Sequence, residues 1–251
     1  MRFFLQLAYR GTAYNGWQIQ ENTIKTIQQV MNEKLSVQLG NTIYCIGCGR
    51  TDTGVHAENF FLHFDYEKEL PEEFLHNFNS FLPNDIVVKA AFVGNELKAH
   101  ARRSALFRTY QYRITLTRNP FLLGLAAHIH YPLDIEAMRA AAMMLMKYED
   151  YRALSKVNTQ NKQDRCTVTQ ADWMQQEDLL IFEITANRFL RGMVRIIAGT
   201  LLEVGRGRLS VDDFENIILS RDRKKAKGAA PAEGLYLTKI LYPQGLLTQI
   251  Q

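Results

Sequence analysis

The sequence predicts an α+β fold with a largely antiparallel sheet. Segments with the two-residue alternation of strands are interspersed with segments that have the apolar spacing of amphipathic helices. The two kinds follow one another in a mixed order, whereas a doubly wound parallel sheet requires strict alternation of strand and helix. Of the 251 residues, 47% are hydrophobic and 22% are charged, which is the balance of a globular protein with a good core.

The first half of the chain carries a clear series of elements. Its apolar pattern predicts a strand at residues 3–9, a helix at 27–35, a strand that includes 62–64, a short helix at 74–82 and a strand at 86–92. Pro83 lacks the amide hydrogen that a continuing helix needs, so we expect it to end the second helix.

The second half has the same mixture of elements. Residues 108–117 give the strongest strand signal, because aromatic or apolar side chains occupy every second position. Further elements are predicted as a helix at 138–146, a strand at 180–184, a helix at 190–201, a helix at 214–218 that Ser210 and Asp213 open as a capping box, and a strand at 235–239. We expect two comparable α+β halves, an N-terminal one at residues 1–104 and a C-terminal one at residues 105–251.

Bulk properties favour a cytoplasmic protein and disfavour several other classes. No apolar run approaches the length needed to cross a bilayer. The first seven residues lack the long apolar stretch and small-residue cleavage site of a signal peptide. The three cysteines are few and odd in number, so they do not indicate a disulfide framework. A formal charge of +4 is only a weak indication of an anionic partner.

The densest cluster of chemically useful residues is G-C-G-R-T-D-T-G-V-H-A at residues 47–57. It follows a strand-like run that ends near Ile46 and precedes another that starts near Asn59. Its glycines allow the backbone to approach a ligand closely. Asp52 is a candidate nucleophile or base, and Arg50 supplies a fixed positive charge that would favour the ionised carboxylate.

Three other interpretations of this cluster must be weighed. T-D-T-G is good turn chemistry in its own right. D-T-G also occurs in aspartic proteases, but these need two carboxylates, and this chain has a single D-T-G preceded by polar residues. Cys45 and Cys48, with His56 and His63 downstream, could form a zinc site; however, no second pair completes a known spacing, and buried cysteine usually behaves as a small hydrophobe.

Two further segments suggest RNA. Residues 101–113 interleave arginines with aromatic residues, a combination that suits phosphate neutralisation and base stacking. Within it, Tyr112 is better interpreted as a core residue of the strand. Residues 221–227, R-D-R-K-K-A-K, suit contact with a phosphate backbone, although a solvated loop or helix end would look the same.

Six motifs are spread over nearly the whole chain. They are Y-R-G-T-A-Y-N-G-W-Q at residues 9–18, G-R-T-D-T-G-V-H at 49–56, L-P-N-D-I at 82–86, H-A-R at 100–102, A-N-R-F-L with M-V-R at 186–195, and A-P-A-E-G-L at 230–235. In their sequence, order and spacing, these motifs resemble those of the TruA-type pseudouridine synthases.

The resemblance implies an activity and a set of site residues. The activity is isomerisation of uridine to pseudouridine at positions 38, 39 and 40 in the anticodon stem-loop of tRNA, which requires no cofactor. Asp52 corresponds to the catalytic aspartate, Tyr110 to the tyrosine that stacks on the target base, and Arg50 and Arg195 to arginines that line the cleft. The resemblance also implies two similar halves that share one central sheet, an active-site cleft between them, and a homodimer.

The chain departs from the family pattern at two places. Arg10 stands where the family commonly has Asp, and Arg191 with Gly192 replaces larger residues before M-V-R. Both lie outside the catalytic signature, so they affect expected RNA contacts and not the reaction. A catalytically idle RNA-binding protein, or an enzyme for another structured RNA, remains the alternative.

Overall fold

The computed structural model describes residues 1–23, 25–96, 98–156 and 165–251. The strands within these ranges are β1 (Arg2–Tyr9), β2 (Ile46–Gly47), β3 (His56–Asp65), β4 (Ile86–Gly94), β5 (Phe107–Thr115), β6 (Ala127–His128), β7 (Val168–Gln176), β8 (Leu179–Ala186), β9 (Leu235–Leu241) and β10 (Leu247–Gln249). The helices are α1 (Ile27–Leu39), α2 (Phe74–Phe81), α3 (Ile135–Met144), α4 (Met193–Gly205) and α5 (Val211–Ser220). The strand pairings are mostly antiparallel, so the α+β prediction is confirmed.

The chain divides into two compact units. Unit 1 comprises residues 1–106 and 237–251, and unit 2 comprises residues 107–236. Strand β9 carries the chain from the second unit back into the first.

Unit 1 is built on strands in the order β10-β4-β1-β3, with β2 also paired to β3. All of these pairings are antiparallel. Strand β1 is buried on both faces: Phe3, Phe4 and Leu5 are each at most 1% exposed. The ring of Phe4 packs against Tyr242, so residues near the C-terminal end of the sequence contribute to this core.

Unit 2 contains the strand order β5-β8-β7, which is antiparallel, and β6 beside β5 in parallel. Helix α4 is its most buried helix, and its Ile196, Ile197 and Leu201 are fully buried. Helices α3 and α5 pack on α4 and on each other. No helix among the described residues is long and apolar enough to cross a bilayer.

Candidate active site

Asp52 lies in the connection between β2 and β3. The amide of Val55 donates to the carbonyl oxygen of Asp52 at 3.2 Å, which closes a four-residue turn. Gly54, at the third position, has φ of +79°, as a type II turn requires. Asp52 itself is half-buried. The turn predicted from T-D-T-G is therefore present, and it carries the residue that the family resemblance marks as catalytic.

The residue before Asp52 is fixed by both its side chain and its backbone. The hydroxyls of Thr51 and Tyr9 are 2.9 Å apart and form a buried hydrogen bond. The carbonyl oxygen of Thr51 accepts a hydrogen bond from the amide of Trp17 at 3.2 Å. Trp17 is buried and stacks on Phe60 with ring centroids 4.1 Å apart. The path of the chain into Asp52 is thus set by packed, ring-bearing residues of unit 1.

Two glycines allow the segment 9–18 to lie directly on the loop. A Cβ atom at Gly11 would stand 1.9 Å from the carbonyl oxygen of Val55. A Cβ at Gly16, where φ is +80°, would stand 2.4 Å from the carbonyl oxygen of Thr51. Both contacts are with backbone, which cannot move aside as a flexible side chain can. Glycine is therefore required at both positions for this approach.

A second hydrogen-bonded path holds the far end of the turn. The amide of Gly54 donates to the carbonyl oxygen of Tyr14 at 3.2 Å. The hydroxyl of Tyr14 donates to the carboxylate of Asp85 at 2.7 Å, and the carbonyl oxygen of Asp85 accepts from the amide of Arg10 at 2.9 Å. Burial, and then the hydrogen bond to Asp85, raise the pKa of Tyr14, so its hydroxyl stays protonated as a donor. The L-P-N-D-I segment thus stabilises the segment 9–18, which in turn binds the loop.

Arg50 is exposed and turns toward the segment 9–18. Its Nε donates to Oε1 of Gln18 at 3.1 Å. The guanidinium is therefore oriented by an amide, and its terminal nitrogens carry a positive charge at the surface of the loop.

The cysteines beside the loop are structural. Cys48 is buried, its amide donates to the carbonyl oxygen of Phe61 at 2.7 Å, and its Sγ accepts from the amide of Phe61 at 3.3 Å. Cys45 is also buried, and burial raises the pKa of its thiol to about 12. Among the described residues, no three His, Cys, Asp or Glu side chains are grouped to hold a metal ion. The zinc interpretation therefore gains no support.

Two buried histidines accept backbone hydrogen bonds on the same side of unit 1. Nδ1 of His56 accepts from the amide of Gly11 at 3.1 Å, which ties the end of the loop to the segment 9–18. Nδ1 of His63 accepts from the amide of Ala101 in H-A-R at 3.1 Å. Burial lowers the pKa of His63 to about 4, and the neighbouring His100 ring, 4.7 Å away between centroids, adds to this effect. His63 is therefore neutral at physiological pH.

Tyr110 and Tyr112 lie on the same face of β5 but differ in exposure. Tyr110 is half-buried, pairs with Ile184 of β8, and meets the ring of Phe189 edge-on with centroids 5.1 Å apart. Tyr112 is fully buried, and its hydroxyl donates to the carbonyl oxygen of Pro231 at 2.9 Å. The prediction that Tyr112 is a core residue is confirmed, and Tyr110 is the one with surface left for a ligand.

Arg195 is held on α4 by the segment that carries A-P-A-E-G-L. Its Nε donates to the carbonyl oxygen of Ala230 at 2.8 Å, and the amide of Ala230 donates back to the carbonyl oxygen of Arg195 at 2.9 Å. One turn further along α4, a Cβ at Gly199 would stand 2.1 Å from the carbonyl oxygen of Gly228. The glycine lets the segment pack against the helix, and the reciprocal hydrogen bonds orient the guanidinium.

The two departures from the family pattern have local structural roles. The amide of Arg10 binds Asp85, as described, and its Nε donates to the hydroxyl of Thr12 at 3.3 Å. Arg191 is exposed, and its carbonyl oxygen accepts from the amide of Lys156 at 2.8 Å. Gly192 has φ of +68° immediately before α4, a conformation in which a larger residue would be strained.

The structure thus places the four expected site residues in two groups. Asp52 and Arg50 share one loop of unit 1, whereas Tyr110 and Arg195 belong to unit 2. Sequence reasoning did not assign the residues that support the loop: Tyr9, Thr51, Tyr14, Gln18 and Asp85. Nothing in their spacing along the sequence indicates that these residues contact one another. Only their position inside the resembling motifs could have marked them as functional.

Comparisons with known proteins identify the family of the chain. Residues 141–243 match the family model described as tRNA pseudouridine synthase. Proteins named tRNA pseudouridine synthase A are similar over nearly their whole length: that of Porphyromonas gingivalis is 43% identical over 98% of both chains, and that of Bacteroides fragilis is 46% identical over 97% of both. The protein of that name from Thermoanaerobacter sp. is 41% identical over 93% of this chain and 96% of its own. At this identity and coverage, the chain belongs to the tRNA pseudouridine synthase family.

Proposed function

We propose that the protein isomerises uridine to pseudouridine at positions 38, 39 and 40 in the anticodon stem-loop of tRNA, with Asp52 as the catalytic residue. The observation that carries the proposal is the fixed position of Asp52. It sits in a glycine-containing turn that is held on both sides by hydrogen bonds with the segment 9–18, at Thr51 and at Gly54. A carboxylate held in this way is pre-organised for chemistry on a bound ligand.

The reaction makes modest chemical demands. The N1–C1′ bond of uridine breaks, the uracil turns, and C5 forms a new bond to C1′. The hydrogen on C5 leaves to water, and N1 gains a proton. The reaction involves no net oxidation or reduction and transfers no phosphate, so it requires neither a redox cofactor nor a nucleotide. The chain correspondingly carries no P-loop or dinucleotide fingerprint.

The four site residues supply complementary functions in this proposal. Asp52 acts at the junction of sugar and base. A uridine inside a stem must first leave the stack, at a cost of a few kcal/mol. Tyr110 offsets part of that cost by stacking on the uracil, since its ring is half-buried and braced by Phe189. Arg50 and Arg195 bind the RNA backbone around the extruded nucleotide.

The test uses tRNA transcripts that carry tritium at uracil C5, because formation of the C5–C1′ bond must release that hydrogen into water. We expect release by the wild type and none above background by Asp52→Asn, which keeps the shape of the side chain and removes its charge. Asp178→Asn makes the same chemical change at an exposed turn and should release tritium at the wild-type rate. Full activity of Asp52→Asn would refute the assignment. Binding of tRNA without release by the wild type would instead favour the RNA-binding alternative.

The finer expectations are that the enzyme is a cytoplasmic homodimer. The homodimer rests on the family resemblance, and the cytoplasmic location rests on the apolar pattern and N-terminal residues of the sequence. The oligomeric state is tested by sedimentation equilibrium, in which a particle of the 28.9 kDa chain mass would contradict the dimer.

A further inference from the structure

The basic run 221–227 is an ordered loop whose charges divide into two classes. It follows α5 and contains five basic side chains and one acidic one. Arg221 is paired through Nε with the carboxylate of Asp150 at 3.1 Å. The half-buried Arg223 donates from Nη1 to the carbonyl oxygen of Ala226 at 3.1 Å. These two arginines are used within unit 2 to hold the loop.

The three lysines behave differently. Lys224, Lys225 and Lys227 are all exposed. Within the described chain, none of their ammonium groups takes part in an ion pair or hydrogen bond. The carboxylate of Asp222 accepts the backbone amide of Lys224 at 2.9 Å. The only acidic residue of the run is thus engaged in shaping the turn, and the lysine charges point to solvent.

The loop is attached to the helix that carries Arg195. The amide of Lys227 donates to the hydroxyl of Thr200 on α4 at 3.3 Å. Gly199 allows Gly228 to approach α4 closely, and Ala230, two residues on, makes the reciprocal hydrogen bonds with Arg195. The lysines therefore lie on a segment whose spacing from Arg195 is fixed by direct contacts.

We propose that Lys224, Lys225 and Lys227 form a binding surface for the phosphate backbone of the RNA substrate, positioned on α4 by Gly199. A pre-ordered cationic loop loses little conformational entropy when it binds, in contrast to lysines on a flexible tail. Three separate ammonium groups along a short loop match consecutive phosphates, and they act as point charges without reading sequence. The inference depends on the proposed function in one respect, which is that the RNA bound by the lysines is tRNA.

The experiment measures binding and not turnover. Anisotropy of a fluorescein-labelled, unmodified tRNA transcript is followed at several KCl concentrations. Each phosphate contact contributes about 0.7 to 0.9 to the slope of log affinity against log salt, so replacing all three lysines by Gln should reduce the slope by roughly 2 to 3. The same contacts correspond to a loss of affinity on the order of 100-fold at 0.1 M salt.

A matched triple variant tests whether the effect comes from the position of the three lysines or only from the lower net charge of the protein. Lys68→Gln, Lys98→Gln and Lys147→Gln remove the same number of exposed charges from other parts of the chain. We expect this variant to keep the wild-type slope. An equal fall in both triple variants, or no fall in the loop variant, would overturn the proposal.

Gly199→Ala tests the placement of the loop without removing any charge. Its new methyl group would displace the backbone at Gly228, so we expect weaker tRNA binding and a reduced salt slope in a variant that remains folded by circular dichroism. An unchanged slope would show that the attachment to α4 does not matter. If binding depends on the lysines but no tritium is released, the proposed function is wrong and the lysine surface is supported. If tritium is released but binding does not depend on the lysines, the proposed function is supported and the lysine surface is wrong.

Discussion

The buried hydrogen bond between the hydroxyls of Tyr9 and Thr51 holds the residue directly before Asp52. Because Thr51 directly precedes Asp52, the proposed catalytic residue, rotation of its backbone would redirect the carboxylate. Removing one hydroxyl also leaves the other with a lost partner in a buried site, at a cost of about 1–3 kcal/mol. This contact is therefore a positioning device for the proposed chemistry.

We predict that Tyr9→Phe and Thr51→Val each slow single-turnover tritium release roughly tenfold, since 1.4 kcal/mol corresponds to that factor. If both act through one hydrogen bond, the double variant should be little slower than either single one. The tRNA dissociation constant should change much less than the rate. Tyr66→Phe removes the hydroxyl that binds Leu39 elsewhere in unit 1 and serves as the control. Additive effects, or loss of stability without loss of rate, would contradict the interpretation.

Tyr110 is predicted to act through its ring. Tyr110→Phe preserves the stacking surface and the edge contact with Phe189, so the rate should stay within several-fold of wild type. Tyr110→Ala removes a stacking interaction of about 1–3 kcal/mol per base and should lower kcat/KM by roughly tenfold to a hundredfold. Both are measured by tritium release under the same conditions. A severe loss in Tyr110→Phe would assign a function to the hydroxyl instead.

At the scale of elements, the 49–56 loop and the 9–18 segment behave as one unit. Gly16→Ala should be destabilising for two reasons, because φ is +80° and the new Cβ would meet the carbonyl oxygen of Thr51. Gly40→Ala is the matched control, since φ is +67° there and nothing lies within 4 Å. Positive φ alone costs roughly 1–2 kcal/mol, so urea unfolding should show a larger loss for Gly16→Ala, accompanied by slower tritium release. Equal losses in both variants would show that the close contact carries no cost.

The elements that the sequence predicts well are those whose own residues fix them. The capping box of Ser210 and Asp213 is present at the start of α5, with both reciprocal hydrogen bonds. Strand β5 and helix α2 also lie where alternation and spacing place them. The sequence does not predict strand β7, because its residues are mostly polar and only Val168, Ala171 and Trp173 are buried. Antiparallel hydrogen bonding to β8 holds these residues in a strand, although they lack a clear apolar alternation.

Long-range contacts explain the remaining differences. Helix α4 begins at Met193, after Gly192 turns the chain with positive φ, whereas the apolar spacing predicts a start at Leu190. The motif at residues 49–56 predicts Asp52 and Arg50 as site residues. Tyr14 and Asp85, in contrast, are 71 residues apart, and only the fold brings them together. Apolar spacing along the sequence predicts helices and strands, but it contains no signal for a hydrogen bond between two distant residues.

For the molecule as a whole, His63 predicts a dependence of stability on pH. Burial, His100 and Arg2 lower its folded-state pKa to about 4, below the ordinary value of 6.5. The unfolded chain therefore binds more protons between these values, and stability from this site is full above about pH 6.5 and is lost as the pH falls toward 4. His63→Gln should flatten that part of the dependence of the melting temperature. Because carboxylates also titrate below pH 5, the decisive quantity is the difference between wild type and variant. Parallel curves for the two proteins would contradict the prediction.

The division of unit 1 between two stretches of sequence has a consequence for synthesis. Residues 237–251 supply β10 to the edge of the sheet, the ring of Tyr242 to its core, and a hydrogen bond from Gln251 to Pro71. Domains usually fold in the order in which the ribosome delivers them. Here the earlier-made stretch, with its apolar β1, must wait for strands encoded some 130 residues later, while the continuous unit 2 can fold first. Nascent chains stalled before residue 237 should therefore depend on chaperones far more than chains stalled after it.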